Sequence, residues 1–200
     1  MSFHGAPSEF LTLPDLGARI PALSETVIYP RIGYRCWLVE DRHDRYALCG
    51  VLTQIEWADR PGAWTRAFCS RLPVESPGGS RDHREDIPHP CCTCGLYAYH
   101  GLSEGGYDNL VDVPEGPGFE VVWGAVVAAG RMLVYEEGWR AQYARPVALL
   151  QRPGSGPRVR GVADQLGIPV VPRAGIAHVA AEFGVAWKAT ASPTPVGSAS

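Results

Sequence analysis

The sequence predicts an α+β fold: a small curled antiparallel sheet or open barrel, with a cysteine-rich loop and short C-terminal helices. Three observations carry this. Strand-like runs recur between residues 34 and 145, several with alternating apolar and polar side chains. Glycine (23) and proline (18) are abundant enough to favour turns over long helices. Apart from one short run after the cysteines, helix-like patterns fall late, beyond a Gly/Pro-rich stretch at 151–157.

The elements follow in order. Residues 1–24 hold scattered prolines and little periodicity, and read as an irregular lead-in. Residues 25–150 read as the β-rich core domain. Tyr34–Val39 and Tyr46–Leu52 form a hairpin around the polar turn Asp41–Asp44. Trp64–Cys69 reads as a short strand. Residues 70–90 lack pattern, and so long a loop is expected to be functional, tied down or disordered. Cys94-Gly95 opens an expected short helix, Leu96–His100. Phe119–Val127 and Arg131–Glu136 read as two strands. Trp139–Arg145 reads as a third, ended or pushed to an edge by Pro146. Residues 151–187 are a helical extension packed on the core. Its helices fall near Val162–Leu166 and Gly175–Phe183, around an extended Ile168–Pro172. Residues 188–200 read as a disordered tail.

Charge and composition narrow the function classes. The net charge of −3 argues against a protein held to nucleic acid by bulk charge, although a local basic patch is compatible with it. No apolar run approaches the length of a membrane span, so no membrane partner is expected. The start Met1-Ser2-Phe3-His4-Gly5 lacks the basic and apolar segments of a secretory signal, so the expected compartment is the cytoplasm. There, six cysteines read as metal ligands, core thiols or a reactive thiol more readily than as disulfides.

Cys36 and Cys49 lie inside strand runs and read as small core residues. Cys69 and the run Cys91-Cys92-Thr93-Cys94-Gly95 remain. Zinc takes four thiolate or imidazole ligands. Cys69, Cys92 and Cys94 supply three, and His89 or His83 the fourth; Cys91 is a bystander. Such a structural zinc gives the long loop a reason to be ordered, because binding offsets the entropy of fixing it. A second reading makes Cys94 a nucleophile activated at a helix N-terminus, with His89 as its base. A third leaves the cysteines as core filler.

Aromatic and arginine residues suggest a ligand surface. Trp57, Trp64, Trp139 and Tyr143 are flanked by polar and turn residues and are candidates for stacking on a base or other planar group. Arg140 and Arg145 lie on one strand and are candidates for an anion contact. His178 falls on a mostly apolar helix and reads as buried structure.

The runs Cys92-Thr93-Cys94-Gly95-Leu96-Tyr97-Ala98, Trp123-Gly124-Ala125-Val126 and Gly138-Trp139-Arg140-Ala141, followed by Tyr143-Ala144-Arg145-Pro146-Val147-Ala148-Leu149, form a pattern. It resembles an uncharacterised, mainly actinobacterial protein group carrying C-x-C-G-(I/L)-Y-A, then W-G-x-V and G-x-R-A-x-x-A-x-P-x-x-L. The resemblance covers roughly residues 34–150 and implies no activity. A fold-level likeness to PUA-like pseudo-barrels implies reading of RNA or modified DNA.

The function expected from these residues is a non-catalytic ligand-binding module stapled by a zinc-type Cys/His site. Its ligand would be a nucleotide, a modified nucleic acid, another small planar molecule or a protein partner. The alternative is a cysteine-dependent hydrolase or transferase with Cys94 as nucleophile.

Overall fold

The computed structural model describes residues 23–26, 30–51, 55–69, 86–90, 92–103, 118–152 and 156–186. The elements run β1 (Leu23–Thr26), β2 (Arg31–Arg42), β3 (Arg45–Gly50), β4 (Thr65–Arg66), β5 (Leu96–Tyr99), β6 (Phe119–Val134), β7 (Gly138–Leu150), α1 (Pro157–Leu166), β8 (Val170–Val171), α2 (Arg173–Ala181) and β9 (Val185–Ala186). This is the expected α+β class, with a curled, mostly antiparallel sheet.

Pairing explains the curl. β6 pairs with β2, β2 touches β5 through Tyr34 and Tyr99, β5 pairs with β7, and β7 returns to β6. The hydrogen-bonded circuit therefore closes on itself, but one link is a single residue pair. β8 and β9 add short parallel pairings to β7 and β2.

The long β6 departs from expectation. Phe119–Val127 and Arg131–Glu136 are one strand rather than two, because the chain bulges at 129–132 instead of turning. Gly130 makes the bulge possible. Its φ is +77°, and a Cβ there would lie 2.7 Å from the Gln142 side chain. A second register shift lies between Ala125 and Val126, opposite Pro146. That irregularity accommodates a residue with no N–H, so β7 continues through Pro146 to Leu150 instead of ending there.

β6 is buried on both faces, which its nearly unbroken apolar run reflects. Val122, Val126 and Ala128 face a core containing Trp37, Trp57, Met132, Trp139 and Leu149, closed by Val159, Val162 and Leu166 of α1. Trp123, Ala125 and Val127 face a second core, closed by Ile176 and Ala180 of α2. Cys49 is fully buried, and half-buried Cys36 packs on the second core. Burial pushes the Cys36 thiol up to about 12. Both thus behave as core thiols.

The helices are close to expectation. α1 starts earlier than Val162 because Pro157 takes the first turn, where a missing N–H costs nothing. The Gly156 N–H is bound by the buried carboxylate of Glu120 at 2.8 Å, and Gly167 closes the helix in the left-handed region. α2 begins right after Pro172, and His178 is exposed on it rather than buried.

Candidate metal centre

Two short strands assemble this region. β5 pairs with β7 at 138–141, and β4 pairs with β7 at Ala144 and Tyr143. β6 occupies the other edge of β7 over the same residues. β4 and β5 therefore queue end to end along one edge, meeting near Gln142, whose carbonyl accepts the Ala67 N–H at 2.8 Å. Cys69 leaves this junction just beyond β4, and Cys92 and Cys94 enter it just before β5.

The three sulfurs converge. Sγ atoms of Cys69, Cys92 and Cys94 lie within 4.8 Å of one another, and those of Cys69 and Cys92 are 3.7 Å apart. A Zn–S bond is about 2.3 Å, so two sulfurs on one tetrahedral zinc stand about 3.8 Å apart. A disulfide needs about 2.05 Å. The Cys69–Cys92 spacing matches the zinc value, and the Cys94 sulfur lies within 4.8 Å of both. Cys92 (7% exposed) and Cys94 (8%) are buried in the larger core beside Ile87 and Leu96, and Cys69 is half-buried against it. Thiolate sulfur suits zinc and other soft or borderline ions.

The backbone of the Cys92-Thr93-Cys94 turn is held from three sides. The Cys92 N–H donates to the His89 carbonyl at 3.1 Å. The Tyr97 hydroxyl donates to the Thr93 carbonyl. Arg140 donates through Nη1 to the Cys92 carbonyl and, at 3.2 Å, to the Cys94 carbonyl. Its Nε donates to the Tyr135 hydroxyl oxygen at 2.6 Å. Gly95 lets the turn sit this close. Its φ is +124°, and a Cβ would lie 3.0 Å from the Pro88 Cβ and 3.1 Å from the Arg140 Cβ.

The expected helix at Leu96–His100 is strand β5 over Leu96–Tyr99, so Cys94 leads into a strand and not into a helix N-terminus. Four apolar and aromatic residues are too few for periodicity to separate the two states, and pairing with β7 decides. Burial, and then the neighbouring Cys92 and Cys69, push the Cys94 thiol up to about 11, against a lowering backbone hydrogen bond at His89. Without a metal, this thiol is protonated at neutral pH. Thiolate activation by a helix dipole, the basis of the nucleophile reading, has no counterpart here.

No family model matches the chain, no curated protein matches it, and no solved structure matches it.

The other expected residues separate. Among the described residues, His89 is not part of the converging donor group, although its carbonyl anchors Cys92. His83 and Cys91 lie outside the described residues. Trp57 and Trp139, each 2% exposed, are core residues. Trp57 meets Trp37 edge-on at 5.3 Å, and Trp139 donates to the Ile32 carbonyl at 3.3 Å. Arg140, 5% exposed, turns inward to the cysteine turn. Tyr143 is half-buried beside Gly130. Trp64 and Arg145 do meet at the surface. The Arg145 guanidinium lies 5.1 Å from the Trp64 ring and 5.6 Å from the Phe183 ring. Phe183 and exposed Phe68 were not singled out by sequence; each looks like an ordinary apolar residue until its neighbours are known. Trp57, Trp64 and Phe68 line a groove of about 350 Å³ together with Glu56, Asp59 and Arg66, so two of the expected aromatic residues share it.

Proposed function

We propose that this domain is a non-catalytic ligand-binding module stapled by one zinc ion on Cys69, Cys92 and Cys94. The convergence of three reduced sulfurs within 4.8 Å carries the reading. The fourth position falls to a histidine: His89, whose carbonyl already bonds the Cys92 N–H, or His83. The ion would tie the ends of β4 and β5 together, which is structural work and asks for a closed coordination shell.

The ligand surface is the Trp64–Arg145–Phe183 stack beside the groove. An exposed indole with a guanidinium over it suits a planar, electron-rich partner such as a nucleobase, free or in a nucleic acid. The fold-level likeness to pseudo-barrels that read nucleic acid points the same way. By this reading, the C-x-C-G-(I/L)-Y-A group shares the metal turn: glycine gives the tight bend, and tyrosine caps the Thr93 carbonyl.

Metal analysis of the full chain, purified without added zinc, should find about one ion per chain. Cys92→Ser should abolish it. A content far below one ion in the unaltered protein would end the staple. Titration with a mixed oligonucleotide pool at low salt should quench Trp64 fluorescence in a salt-sensitive way, and Trp64→Ala should remove the response. No quenching at low salt would end the nucleobase reading while leaving the staple standing.

A further inference from the structure

We infer that Arg140 is the charge-compensating and positioning residue of the cysteine centre, its buried guanidinium joining the carbonyls of both Cys92 and Cys94. The inference rests on the metal reading above and goes beyond the ligands themselves.

The charge balance leads to it. When a divalent ion takes three cysteine sulfurs, three thiol protons leave to solvent and three thiolates remain. With a neutral fourth ligand the centre carries one net negative charge. Cys92 and Cys94 are buried, so water screens that charge poorly. Arg140 is buried too, and its guanidinium is permanently charged. Among the described residues no carboxylate forms an ion pair with it. Its partners are two backbone carbonyls and the Tyr135 hydroxyl, and it lies 5.1 Å from the Tyr135 ring and 5.9 Å from the Tyr97 ring. All of these are neutral. A buried cation with neutral partners beside a buried anionic centre is a complementary pair: each offsets the burial of the other.

Geometry adds the positioning role. The two carbonyls that Arg140 binds belong to two of the ligand residues themselves, with one residue between them. Both bonds come from one nitrogen, Nη1, which thereby fixes the curvature of the C-x-C turn. C-x-C has one fewer intervening residue than the common C-x-x-C knuckle, so the turn must be tight to aim both sulfurs at one ion. A Cβ at Gly95 would lie 3.1 Å from the Arg140 Cβ, so glycine lets the turn lie against Arg140. Outer partners of this kind commonly tune metal affinity.

The test uses cobalt(II) and zinc(II) on the full chain, stripped with chelator under reducing conditions. The unaltered protein should give the sulfur-to-cobalt charge-transfer band of a three-thiolate site, and zinc should displace the cobalt. Arg140→Gln should bind zinc roughly 10–100-fold more weakly in competition with a chromophoric chelator. Arg140→Lys keeps the charge and should stay within about fivefold of the unaltered protein. A merely structural arginine predicts no such split, because both shorter side chains lose the reach of Nη1 to the two carbonyls and the paired bonds to the Tyr135 hydroxyl. Equal affinity of Arg140→Gln and the unaltered protein would overturn the inference. If Arg140→Gln does not fold, Arg140→Lys decides alone: a loss beyond about fivefold overturns the charge role, and a smaller one supports it. Absence of the charge-transfer band in the unaltered protein is a separate outcome, which removes the metal reading and the inference with it.

Discussion

Arg140 and Gly95 do opposite things at one place: the arginine fills the space under the cysteine turn, and the glycine keeps that space clear. Gly95→Ala sets a methyl group against Pro88 and Arg140 at a φ of +124°, where side chains are strained. It should cost roughly 1–3 kcal/mol of stability, read by denaturant unfolding of the metal-loaded protein. A change within a few tenths would mean that the turn has room to shift. The cysteines at this scale were legible: Cys69, Cys92 and Cys94 stand out once the strand-borne Cys36 and Cys49 are set aside. Arg140 was not. An arginine on an alternating strand reads as a surface residue, and its partners are main-chain carbonyls 46 and 48 positions away, which leave no trace in side-chain pattern.

Between elements, the telling arrangement is the joint of β4 and β5 along β7. β4 has two residues, too few to hold an edge alone, and its pairing continues into the bond from the Ala67 N–H to the Gln142 carbonyl. Cys69 lies two residues beyond Ala67. The Ala67 amide should therefore be protected from hydrogen exchange in the metal-loaded protein and lose at least about tenfold protection after chelation, while amides of the β6–β7 ladder change little. Unchanged exchange at Ala67 would separate the cysteine cluster from the edge it adjoins. Element type was readable where alternation is long and turns are polar, as in the β2–β3 hairpin. It failed at β5, where four residues fit either periodicity, and at Gly130, where a bulge and a turn use the same residue for the same positive φ.

At the scale of the molecule, two cores share the curled sheet, each with its own helix, and the cysteine centre adjoins the larger. An ion bound there stabilises by mass action. With free zinc near a thousand times its dissociation constant, the stabilisation is about 4 kcal/mol. For a chain of this size that corresponds to roughly 8–16 °C in Tm. Calorimetry with and without chelator, in reductant, should read this drop, and the Cys92→Ser variant should show the low value throughout. An identical Tm in both conditions would contradict a metal staple. The α+β class and the late helices were legible from composition and order. The closure of the sheet through Tyr34 and Tyr99 was not, because a single long-range pair has no local signature.

The queue of β4 and β5 along β7 has one more consequence. An edge made of two short pieces is only as closed as its seam. When the seam opens, β7 offers a row of unpaired amides and carbonyls beside Trp64 and Phe68, both already in solvent. Another copy of the chain can add a strand there. On the proposed metal reading, the cysteine junction doubles as a guard against self-association, and the chain stripped of its ion is the form expected to clump.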